Sequence, residues 1–378
     1  MRIALVTENF LPKLDGVTRT LAMLLEHLQR QGHQAMVLGP DGAPTRYAGA
    51  RVFGAPGLPL PLYPELRLLF PRPRFKWLLA GFRPDVLHVA DPMLLGAAAI
   101  FWARQLRIPV IASYHTNLAA YCGYFHLSAL EKPTWAYRRF LHQHCQATLC
   151  PSPSTACQLE SQGFPRVRLW PRGVDATLFN PKRRSETWRQ HIAGDSAKQV
   201  ILYVGRLSYE KNLMALVSAF TVLENSDTHL VLVGDGPARH DLQRALAHHR
   251  ATLTGYLRGE ALAEAYASAD LFAFPSTTET FGQAVLEAMA SGLPVVAFDA
   301  EGVRDLVRHG ETGLLAPPGN EAAFAQALKD LLAAPEQRAL LGTRARHAAE
   351  QRTWESVMNG LLHVYQQVAL DDAAALAA

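Results

Sequence analysis

Short apolar segments alternate with amphipathic segments along the whole chain, and this alternation predicts its secondary structure. In the first half, strands are expected at Arg2–Val6, Gln34–Leu38, Asp85–Val89, Val110–Ser113, Ala147–Cys150 and Val167–Pro171. In the second half, strands are expected at Val200–Val204, Thr228–Val233, Ala251–Thr254, Leu271–Phe274, Pro294–Phe298 and Gly313–Leu315. Short apolar strands separated by helices are typical of parallel sheets covered on both faces. The pattern therefore predicts an α/β protein with two doubly wound sheets.

A polar, basic stretch divides the chain into two domains. Residues 180–186 interrupt the alternation, after which the pattern of strands and helices begins again. A length of 378 residues also fits two domains of ordinary size. We therefore predict one domain over 1–179 and a second over 180–353. The residues that follow predict an amphipathic helix, 354–372, which we expect to pack back on the first domain.

The composition is that of a folded enzyme without an affinity for nucleic acid. Apolar residues make up 49% of the chain, and 37 basic against 33 acidic residues leave a net charge of +4. The chain has no block of like charges and no nucleic-acid-binding motif. Its first residues enter a strand directly, and no apolar run approaches the roughly 18 residues of a membrane span. We therefore expect a cytoplasmic protein without a transmembrane segment.

Four cysteines lie close together in the first half and raise the question of a zinc site. They are Cys122, Cys145, Cys150 and Cys157. Their spacings do not match a zinc knuckle, and Cys150 lies in an apolar run that is predicted as a strand. We therefore expect reduced, structural cysteines, which suits the cytoplasm.

Polar and small residues follow several strands of the second half, at the points where those strands end. Arg206 and Lys211 share one such loop, where two cations can neutralise a diphosphate. The next two strands end in a tight turn and in a loop whose backbone amides can contact a nucleobase. The residues of these two loops are Gly234, Asp235, Gly236, Tyr256 and Leu257. Because ligands bind outside the carboxyl ends of parallel strands, these loops are candidates for one ligand site.

Two glutamates flank the start of a predicted helix in the second half. The helix is expected over Phe281–Ala290, which places Glu279 in the loop before it and Glu287 about two turns inside it. The amides of Phe281 and Gly282 would then lie at the positive end of the helix dipole, where phosphate binds readily. Apolar neighbours surround Glu287, so its carboxylate needs hydroxyl or cationic partners.

The order and spacing of these motifs resemble the retaining glycosyltransferases of family 4. The matching motifs are G-R-L-x-x-E-K-N from Gly205, V-G-D-G-P from Val233, S-x-x-E-x-F-G-x-x-x-L-E-A-M-A-x-G-x-P-V from Ser276, and G-x-T-G-x-L from Gly310. The second half matches closely and the first half more loosely. The chain lacks the glycine-rich motifs of dinucleotide dehydrogenases and of P-loop kinases. The resemblance implies the GT-B fold, in which two doubly wound Rossmann-like domains face one another across a cleft.

The resemblance also implies the roles of the residues at the strand ends. Arg206 and Lys211 are expected to bind the donor diphosphate, Glu287 the ribose hydroxyls and Glu279 the donor hexose. The expected donor-binding set is Gly16, Arg206, Lys211, Gly234, Asp235, Gly236, Tyr256, Leu257, Glu279, Phe281, Gly282 and Glu287.

In the first half, the resemblance implies one phosphate contact and an active-site histidine. Gly16 matches a glycine whose amide meets the distal phosphate, while Asp15 stands where family members often carry a second glycine. His115 matches the histidine that the family places near the anomeric centre and the acceptor, although a lone histidine after a strand is more often structural. The expected catalytic residues are therefore His115, Glu279, Arg206 and Lys211.

Some details resemble the family members that glycosylate diacylglycerol-based lipids, such as sulfolipid synthases and GDP-mannose-dependent lipid mannosyltransferases. They include Thr7–Phe10, Asp15–Arg19, Tyr114–Asn117 and Pro171–Asp175. The segment Leu58–Trp77 mixes cations, leucines and aromatic residues, which suits an anionic membrane surface as well as it suits an ordinary irregular loop and helix. The resemblance thus implies a lipid acceptor and a peripheral position on the inner face of the cell membrane.

The expected reaction is transfer of a hexose from GDP-mannose or a UDP-hexose with retention at the anomeric carbon. Arg206, Lys211, the Gly16 amide and the predicted helix terminus can stabilise the leaving diphosphate, so no metal or other cofactor is expected. No carboxylate is obviously placed as a nucleophile, which favours same-face attack over a covalent intermediate. The alternatives are a soluble saccharide or small-molecule acceptor, a 2-epimerase or phosphorylase, and a non-catalytic nucleotide-sugar-binding protein.

Overall fold

The computed structural model describes residues 1–12, 16–60, 63–119, 127–194, 199–223 and 227–377. Its chain forms two compact units. Unit 1 comprises Met1–Pro171 and the C-terminal residues from Trp354 onward, and unit 2 comprises Arg172–Thr353. Asp15, Cys122 and their close neighbours lie outside the described residues.

Unit 1 contains the elements of the first half of the sequence. Its strands are β1 (Arg2–Thr7), β2 (Gln34–Pro40), β3 (Arg46–Tyr47), β4 (Ala50–Ala55), β5 (Gly57–Leu60), β6 (Tyr63–Leu69), β7 (Val86–Ala90), β8 (Val110–Ser113), β9 (Ala147–Cys150) and β10 (Val167–Leu169). Its helices before residue 172 include α1 (Gly16–Arg30), α2 (Arg74–Phe82), α3 (Leu94–Leu106), α4 (Glu131–Gln143) and α5 (Pro153–Ser161).

Unit 2 repeats the alternation of strands and helices. Its strands are β11 (Gln199–Val204), β12 (Thr228–Val233), β13 (Ala251–Gly255), β14 (Leu271–Phe274), β15 (Val295–Phe298) and β16 (Gly313–Ala316). Its helices are α6 (Glu186–Ala193), α7 (Leu213–Leu223), α8 (Arg239–Ala245), α9 (Gly259–Ser268), α10 (Gln283–Ala290), α11 (Glu321–Ala333) and α12 (Pro335–Glu350). The chain ends in α13 (Trp354–Ala377), which belongs to unit 1.

Each unit is built on one main sheet whose strand order determines where a ligand can bind. In unit 1 the order is β10-β9-β8-β7-β1-β2-β4-β3, and within the described part of this sheet only the β3–β4 pair is antiparallel. In unit 2 the order is β13-β12-β11-β14-β15-β16, and the pairs are parallel. The chain reverses its direction of winding next to β1 in unit 1 and next to β11 in unit 2. These switch points open the crevices in which doubly wound folds bind ligands.

The C-terminal helix completes the core of unit 1. Buried side chains of α13 pack with the apolar face of α1 and with the sheet. They are Trp354, Met358, Leu361, Leu362, Tyr365 and Val368. Their spacing of three and four residues forms one apolar stripe along the helix, which explains why this segment lies on a core rather than in solvent.

The chain leaves unit 1 earlier than the sequence suggested. The boundary lies between Pro171 and Arg172 rather than between residues 179 and 180. The backbone N–H of Val174 donates to the carbonyl of Arg352 at 2.8 Å, and Phe179 is buried in the core of unit 2. These contacts hold the segment from Arg172 in unit 2, although its composition does not set it apart.

The structure also corrects the expected course of the chain between residues 46 and 69. Strands β3 and β4 extend the sheet beyond β2, and β5 and β6 form a separate antiparallel hairpin in a segment for which an ordinary irregular loop and helix was one of two interpretations. Within the hairpin Pro59 pairs with Arg67. Prolines in short edge strands weaken the alternation by which a strand is recognised.

Two general features concern the membrane and metal ions. None of the helices in the described part of the chain combines the length and apolar character that a bilayer span requires. Over the same residues, no three side chains of His, Cys, Asp or Glu are grouped to hold a metal ion. Cys145 and Cys150 are buried free thiols, and Cys157 is an exposed one.

Candidate functional site

In unit 2 the predicted donor-binding residues lie at one edge of the sheet. Because β13, β12, β11 and β14 are neighbours in that order, the four loops at their carboxyl ends are neighbours too. Arg206 and Lys211 follow β11, and Glu279 follows β14 across the switch point. The sheet therefore brings together side chains that are about 70 residues apart in the sequence.

Lys211 and Glu279 form a partly buried ion pair. The Lys211 Nζ atom lies 2.5 Å from Glu279 Oε1, and the side chains are 16% and 17% exposed. The Ser276 hydroxyl donates to the same carboxylate oxygen at 3.1 Å. Burial disfavours the charge of Lys211, but Glu279 and other anionic neighbours outweigh it and raise the pKa of Lys211. The lysine therefore keeps a positive charge at this edge of the sheet.

Arg206 lies in the same loop beside a carboxylate to which the sequence analysis gave no role. Its Nη1 atom is 3.9 Å from Glu210 Oε1, and Glu210 is buried and accepts a hydrogen bond from Ser208 at 2.5 Å. The Thr278 hydroxyl donates to the Glu210 carbonyl at 3.2 Å, which joins the β11 loop to the β14 loop. Two cations are thus held by a buried framework, as binding of a polyanion requires.

The turn after β12 interlocks with the β11 loop. Gly234 and Gly236 have φ values of 140° and 156°. A Cβ atom would lie 1.9 Å from the Gly205 carbonyl oxygen at Gly234 and 2.4 Å from the Leu207 carbonyl oxygen at Gly236. Glycine is therefore required at both positions by backbone conformation and by close backbone packing.

Asp235 and the β13 loop line the other side of this turn. Asp235 accepts the Gly236 amide at 2.8 Å and lies 3.4 Å from Arg239 Nη1. The Tyr256 hydroxyl donates to the Asp235 carbonyl at 3.2 Å, while its side chain is 62% exposed. Leu257 is partly buried against the core of unit 2. The exposed tyrosine ring offers a flat surface next to the turn.

Helix α10 begins two residues later than the sequence predicted. Gly282 is its N-cap with a left-handed φ of 91°, so the helix starts at Gln283 rather than at Phe281. Phe281 is 5% exposed and lies in the core of unit 2 instead of opening the helix. The first amides of α10 nevertheless point out of the helix start, where the dipole is positive.

Glu287 lies inside α10 and is almost fully buried. Its side chain is 3% exposed, and its Oε2 atom accepts a hydrogen bond from the Tyr266 hydroxyl at 3.3 Å. A buried carboxylate requires such donors, and Tyr266 is one that sequence spacing did not reveal.

In unit 1, Gly16 and His115 follow β1 and β8 respectively. Gly16 opens α1, and open space surrounds the position of a Cβ atom there, so local packing does not require a glycine. His115 is 6% exposed, and its ring packs edge-on against Trp170 with 5.5 Å between ring centres. The histidine is therefore held on a packed core rather than on a loose loop.

A buried ion pair that the sequence analysis did not identify fixes the His115 backbone. The Asp91 carboxylate accepts the His115 amide at 2.9 Å and the Arg138 guanidinium at 2.6 Å. Arg138 also donates to the Thr116 carbonyl at 2.8 Å, and its guanidinium carbon lies 4.2 Å from the centre of the Tyr114 ring. Asp91 directly follows β7, and this position at the end of a strand is the sequence feature that could have identified it as a candidate site residue.

Glu8 is a second buried carboxylate at the switch point of unit 1. It accepts the backbone amides of Leu69 at 3.1 Å and of Gly96 at 3.2 Å. Burial raises the pKa of Glu8 to about 7, although these amides lower it. With Arg67 and Asp91 it lines a cavity of about 20 Å³, which is too small for a sugar.

Two family models match consecutive parts of the chain. The model described as Glycosyltransferase Family 4 matches residues 14–178, and the model described as Glycosyl transferases group 1 matches residues 198–334. Together the two models cover most of both units.

Similar proteins match over nearly the whole chain. A GDP-mannose-dependent alpha-mannosyltransferase of Mycolicibacterium smegmatis is 41% identical over 97% of this chain and 98% of its own length. The sulfoquinovosyl transferase SQD2 of Arabidopsis thaliana is 36% identical over 94% of this chain and 71% of its own. An alpha-monoglucosyldiacylglycerol synthase of Streptococcus pneumoniae is 30% identical over 89% and 79%. Among solved structures, sucrose-phosphate synthase of Thermosynechococcus elongatus superposes with a TM-score of 0.79 at 23% identity, covering 97% of this chain and 98% of that one.

Proposed function

The chain belongs to glycosyltransferase family 4 and has the GT-B fold, and from this premise we propose that it transfers mannose from GDP-mannose to a membrane lipid. Its hexosyltransferase activity follows from relatives that match it over nearly their whole length. The choice of donor rests on one observation: a GDP-mannose-dependent enzyme is 41% identical over 98% of that enzyme's length.

Stabilisation of the leaving GDP is the main catalytic task that we assign to this chain. Arg206, Lys211 and the first amides of α10 supply positive charge at one sheet edge of unit 2. Groups that are already oriented stabilise developing charge without reorganisation in the transition state. Lysine has three N–H donors, so Lys211 can keep its bond to Glu279 and also bind a phosphate oxygen. This supply of cations and amides supports a reaction that needs no metal ion.

Glu279 and Glu287 are assigned to the hydroxyl groups of the donor. Glu279 accepts bonds from Lys211 and Ser276 and keeps acceptor capacity for a hydroxyl of the hexose. Glu287 is buried and would bind the ribose hydroxyls by charge-assisted hydrogen bonds. Asp235 and the ring of Tyr256 are assigned to the nucleoside.

We assign retention of configuration to attack from the face that the GDP leaves. No carboxylate suggests itself as a nucleophile from the sequence, and His115 is the catalytic residue proposed near the anomeric carbon. In such a reaction the acceptor hydroxyl gives its proton to the departing phosphate oxygen while the new glycosidic bond forms. His115 would donate a hydrogen bond and hold the reacting groups in place.

A lipid acceptor is supported by the surface of unit 1 as well as by one relative's name. The segment that runs from the hairpin β5–β6 through α2 exposes Leu58, Phe70 and Trp77, which are 63%, 43% and 76% accessible. The same segment carries the cations Arg67, Arg72, Arg74 and Lys76. We call these seven residues the hairpin–α2 surface. Apolar and cationic side chains on one surface are typical of binding to an anionic bilayer.

The decisive experiment presents the purified protein with labelled GDP-mannose and vesicles that contain a bacterial lipid extract. We expect a mannolipid with the α configuration in NMR spectra, at the same rate with and without a metal chelator. UDP-glucose in place of GDP-mannose should give little product. Transfer only to a soluble sugar would overturn the lipid acceptor, and binding without turnover across donors and acceptors would overturn the enzymatic role.

A further inference from the structure

A continuous chain of hydrogen bonds leads from His115 through the interior of unit 1 to the C-terminal helix. The Ser113 hydroxyl oxygen lies 2.7 Å from His115 Nε2 and 2.8 Å from His88 Nε2. The other ring nitrogen of His88, Nδ1, lies 2.5 Å from the Tyr365 hydroxyl. His88, Ser113 and Tyr365 have no exposed surface. We call these three residues together with His115 the buried relay.

The relay joins elements that are far apart in the sequence. His88 is in the middle of β7, Ser113 ends β8, and Tyr365 comes from α13. His88 is polar although every residue of its strand is buried. Buried strand positions of this kind normally carry apolar side chains. A buried histidine costs stability unless both ring nitrogens are bonded, and here both are.

The Tyr365 hydroxyl determines which atom donates and which accepts in each hydrogen bond of the buried relay. His88 is its one hydrogen-bond partner among the described residues, and burial raises the pKa of Tyr365 well above its usual range, so the proton stays on the tyrosine. If His88 donated to Tyr365, the buried O–H would have no acceptor, which is costly. The hydroxyl therefore donates to His88 Nδ1.

Each remaining link is determined by the one before it. A neutral His88 that accepts at Nδ1 carries its hydrogen on Nε2 and donates it to the Ser113 oxygen. The Ser113 hydroxyl then donates its own hydrogen to His115 Nε2. His115 accepts at Nε2, so its hydrogen is on Nδ1.

We propose that Ser113, His88 and Tyr365 are positioning residues that hold His115 in the tautomer with its hydrogen on Nδ1. In that state His115 is a hydrogen-bond donor through Nδ1, and its Nε2 lone pair is occupied by Ser113. The histidine is thus set to donate to an oxygen atom of a substrate and is not set to act as a general base. The kinetic part of this inference rests on the function proposed above, whereas the tautomer itself does not.

The tautomer is measured directly by NMR. The protein is labelled with ¹⁵N-histidine, and the His115 signals among those of 15 histidines are assigned by their loss in His115→Ala. We expect a protonated Nδ1 and an unprotonated, hydrogen-bonded Nε2. In Tyr365→Phe and in Ser113→Ala the His115 signals should shift towards a mixture of tautomers. Ser113→Thr keeps the hydroxyl and should restore the wild-type signals.

Kinetics provide the second measurement. A preoriented hydrogen-bond donor in an active site contributes about 10²–10³-fold to kcat, so partial loss of the His115 tautomer in Tyr365→Phe should lower kcat about tenfold or more. The KM for GDP-mannose should remain close to that of the wild type, because His115 is not assigned to bind the nucleotide. The matched control is Tyr47→Phe, which removes a hydroxyl that bonds Glu26 at 2.5 Å elsewhere in unit 1. It should leave kcat and the His115 signals unchanged.

The outcomes separate this inference from the proposed function. A wild-type His115 with its hydrogen on Nε2, or signals that are the same in Tyr365→Phe and wild type, would overturn the relay whatever the enzyme's activity. If the wild type does not use GDP-mannose but the signals respond as expected, the proposed donor is wrong and the relay stands. A loss of kcat with unchanged NMR signals would assign Tyr365 to folding alone and reject the relay.

Discussion

At the scale of single residues, the candidate site depends on charged groups that are nearly removed from water. Glu287 is 3% exposed and Glu210 is 6% exposed, and each accepts a bond from a neighbouring hydroxyl. A hydroxyl partner such as that of Tyr266 can turn towards the carboxylate or towards a ligand. Glu287 is therefore suited to exchange a protein partner for a ribose hydroxyl.

Glu287→Ala should weaken the binding of GDP. The variant removes charge-assisted hydrogen bonds to the ribose, each worth roughly 1.5–3 kcal/mol, so the Kd should rise at least about tenfold. Calorimetric titration with GDP measures the change, and circular dichroism checks the fold. The matched control is Glu260→Ala on α9, whose carboxylate is 83% exposed, and its Kd should not change. Equal GDP affinity in Glu287→Ala and wild type would remove Glu287 from the ribose site.

At the scale of elements, the hairpin–α2 surface differs most from what the sequence suggested. Strands β5 and β6 form a two-stranded ribbon outside the main sheet, and α2 follows directly. Arg72 pairs with Asp41 at 3.1 Å, but the side chains are 35% and 46% exposed, so solvent screens the pair and it contributes little to stability. The arginine remains available to a lipid headgroup.

Replacement of Arg72, Arg74 and Lys76 by Gln should reduce binding to anionic vesicles. Each cation near such a surface contributes about 1 kcal/mol, and salt screens the attraction over a Debye length of about 10 Å at 0.1 M. Sedimentation with phosphatidylglycerol vesicles at low and high salt measures the effect, and neutral phosphatidylcholine vesicles give the background. A triple variant of exposed unit 2 cations, Arg244, Lys329 and Arg344 to Gln, loses the same charge and should bind as the wild type does.

The membrane assignment would be rejected if wild type and variant sediment equally with anionic vesicles. Donor hydrolysis without an acceptor should be equal in the two proteins, because Arg206 and Lys211, the cations proposed to bind the diphosphate, belong to unit 2. A parallel loss of hydrolysis would show that the substitutions disturb the fold rather than the surface.

At the scale of the whole molecule, the path of the chain makes unit 1 depend on residues from both ends. The chain enters unit 2 at Arg172 and returns at Trp354, and α13 then supplies buried side chains to the core of unit 1. Each unit has its own hydrophobic core, so each can unfold in its own transition.

Leu361→Ala should destabilise unit 1 through its C-terminal helix. Leu361 is 2% exposed, and large-to-small substitutions in a core cost about 2–5 kcal/mol. Urea unfolding followed by tryptophan fluorescence should show an earlier transition for one unit and an unchanged transition for the other. Leu370→Ala changes a 70% exposed side chain of the same helix and should have little effect. Equal midpoints for the two variants would contradict the packing of α13 on unit 1.

The sequence by itself determined the features that depend on local patterns. The period of apolar residues predicted most strands to within two residues, and strand ends marked Arg206, Lys211, Glu279 and His115 as neighbours of possible ligands. The strand predictions succeed because burial on both faces of a parallel strand leaves a local apolar run. The ligand roles of the strand-end residues stay predictions, which rest on the rule that ligands bind at carboxyl strand ends. The start of α10 was misplaced because Gly282, which precedes the helix, is left-handed, and the sequence alone does not reveal a residue's φ.

Only the tertiary structure decided which residues that are distant in sequence form hydrogen bonds with one another. Arg138 reaches Asp91 from 47 residues away, and Tyr365 reaches His88 from 277 residues away. A hydrogen bond depends on the separation of two atoms in space and leaves no periodic trace along the chain. The boundary after Pro171 was decided in the same way, because the pairing of Val174 with Thr353 holds the following segment in unit 2. Local periodicity thus determined the helices and strands, and long-range packing determined how His115 is held.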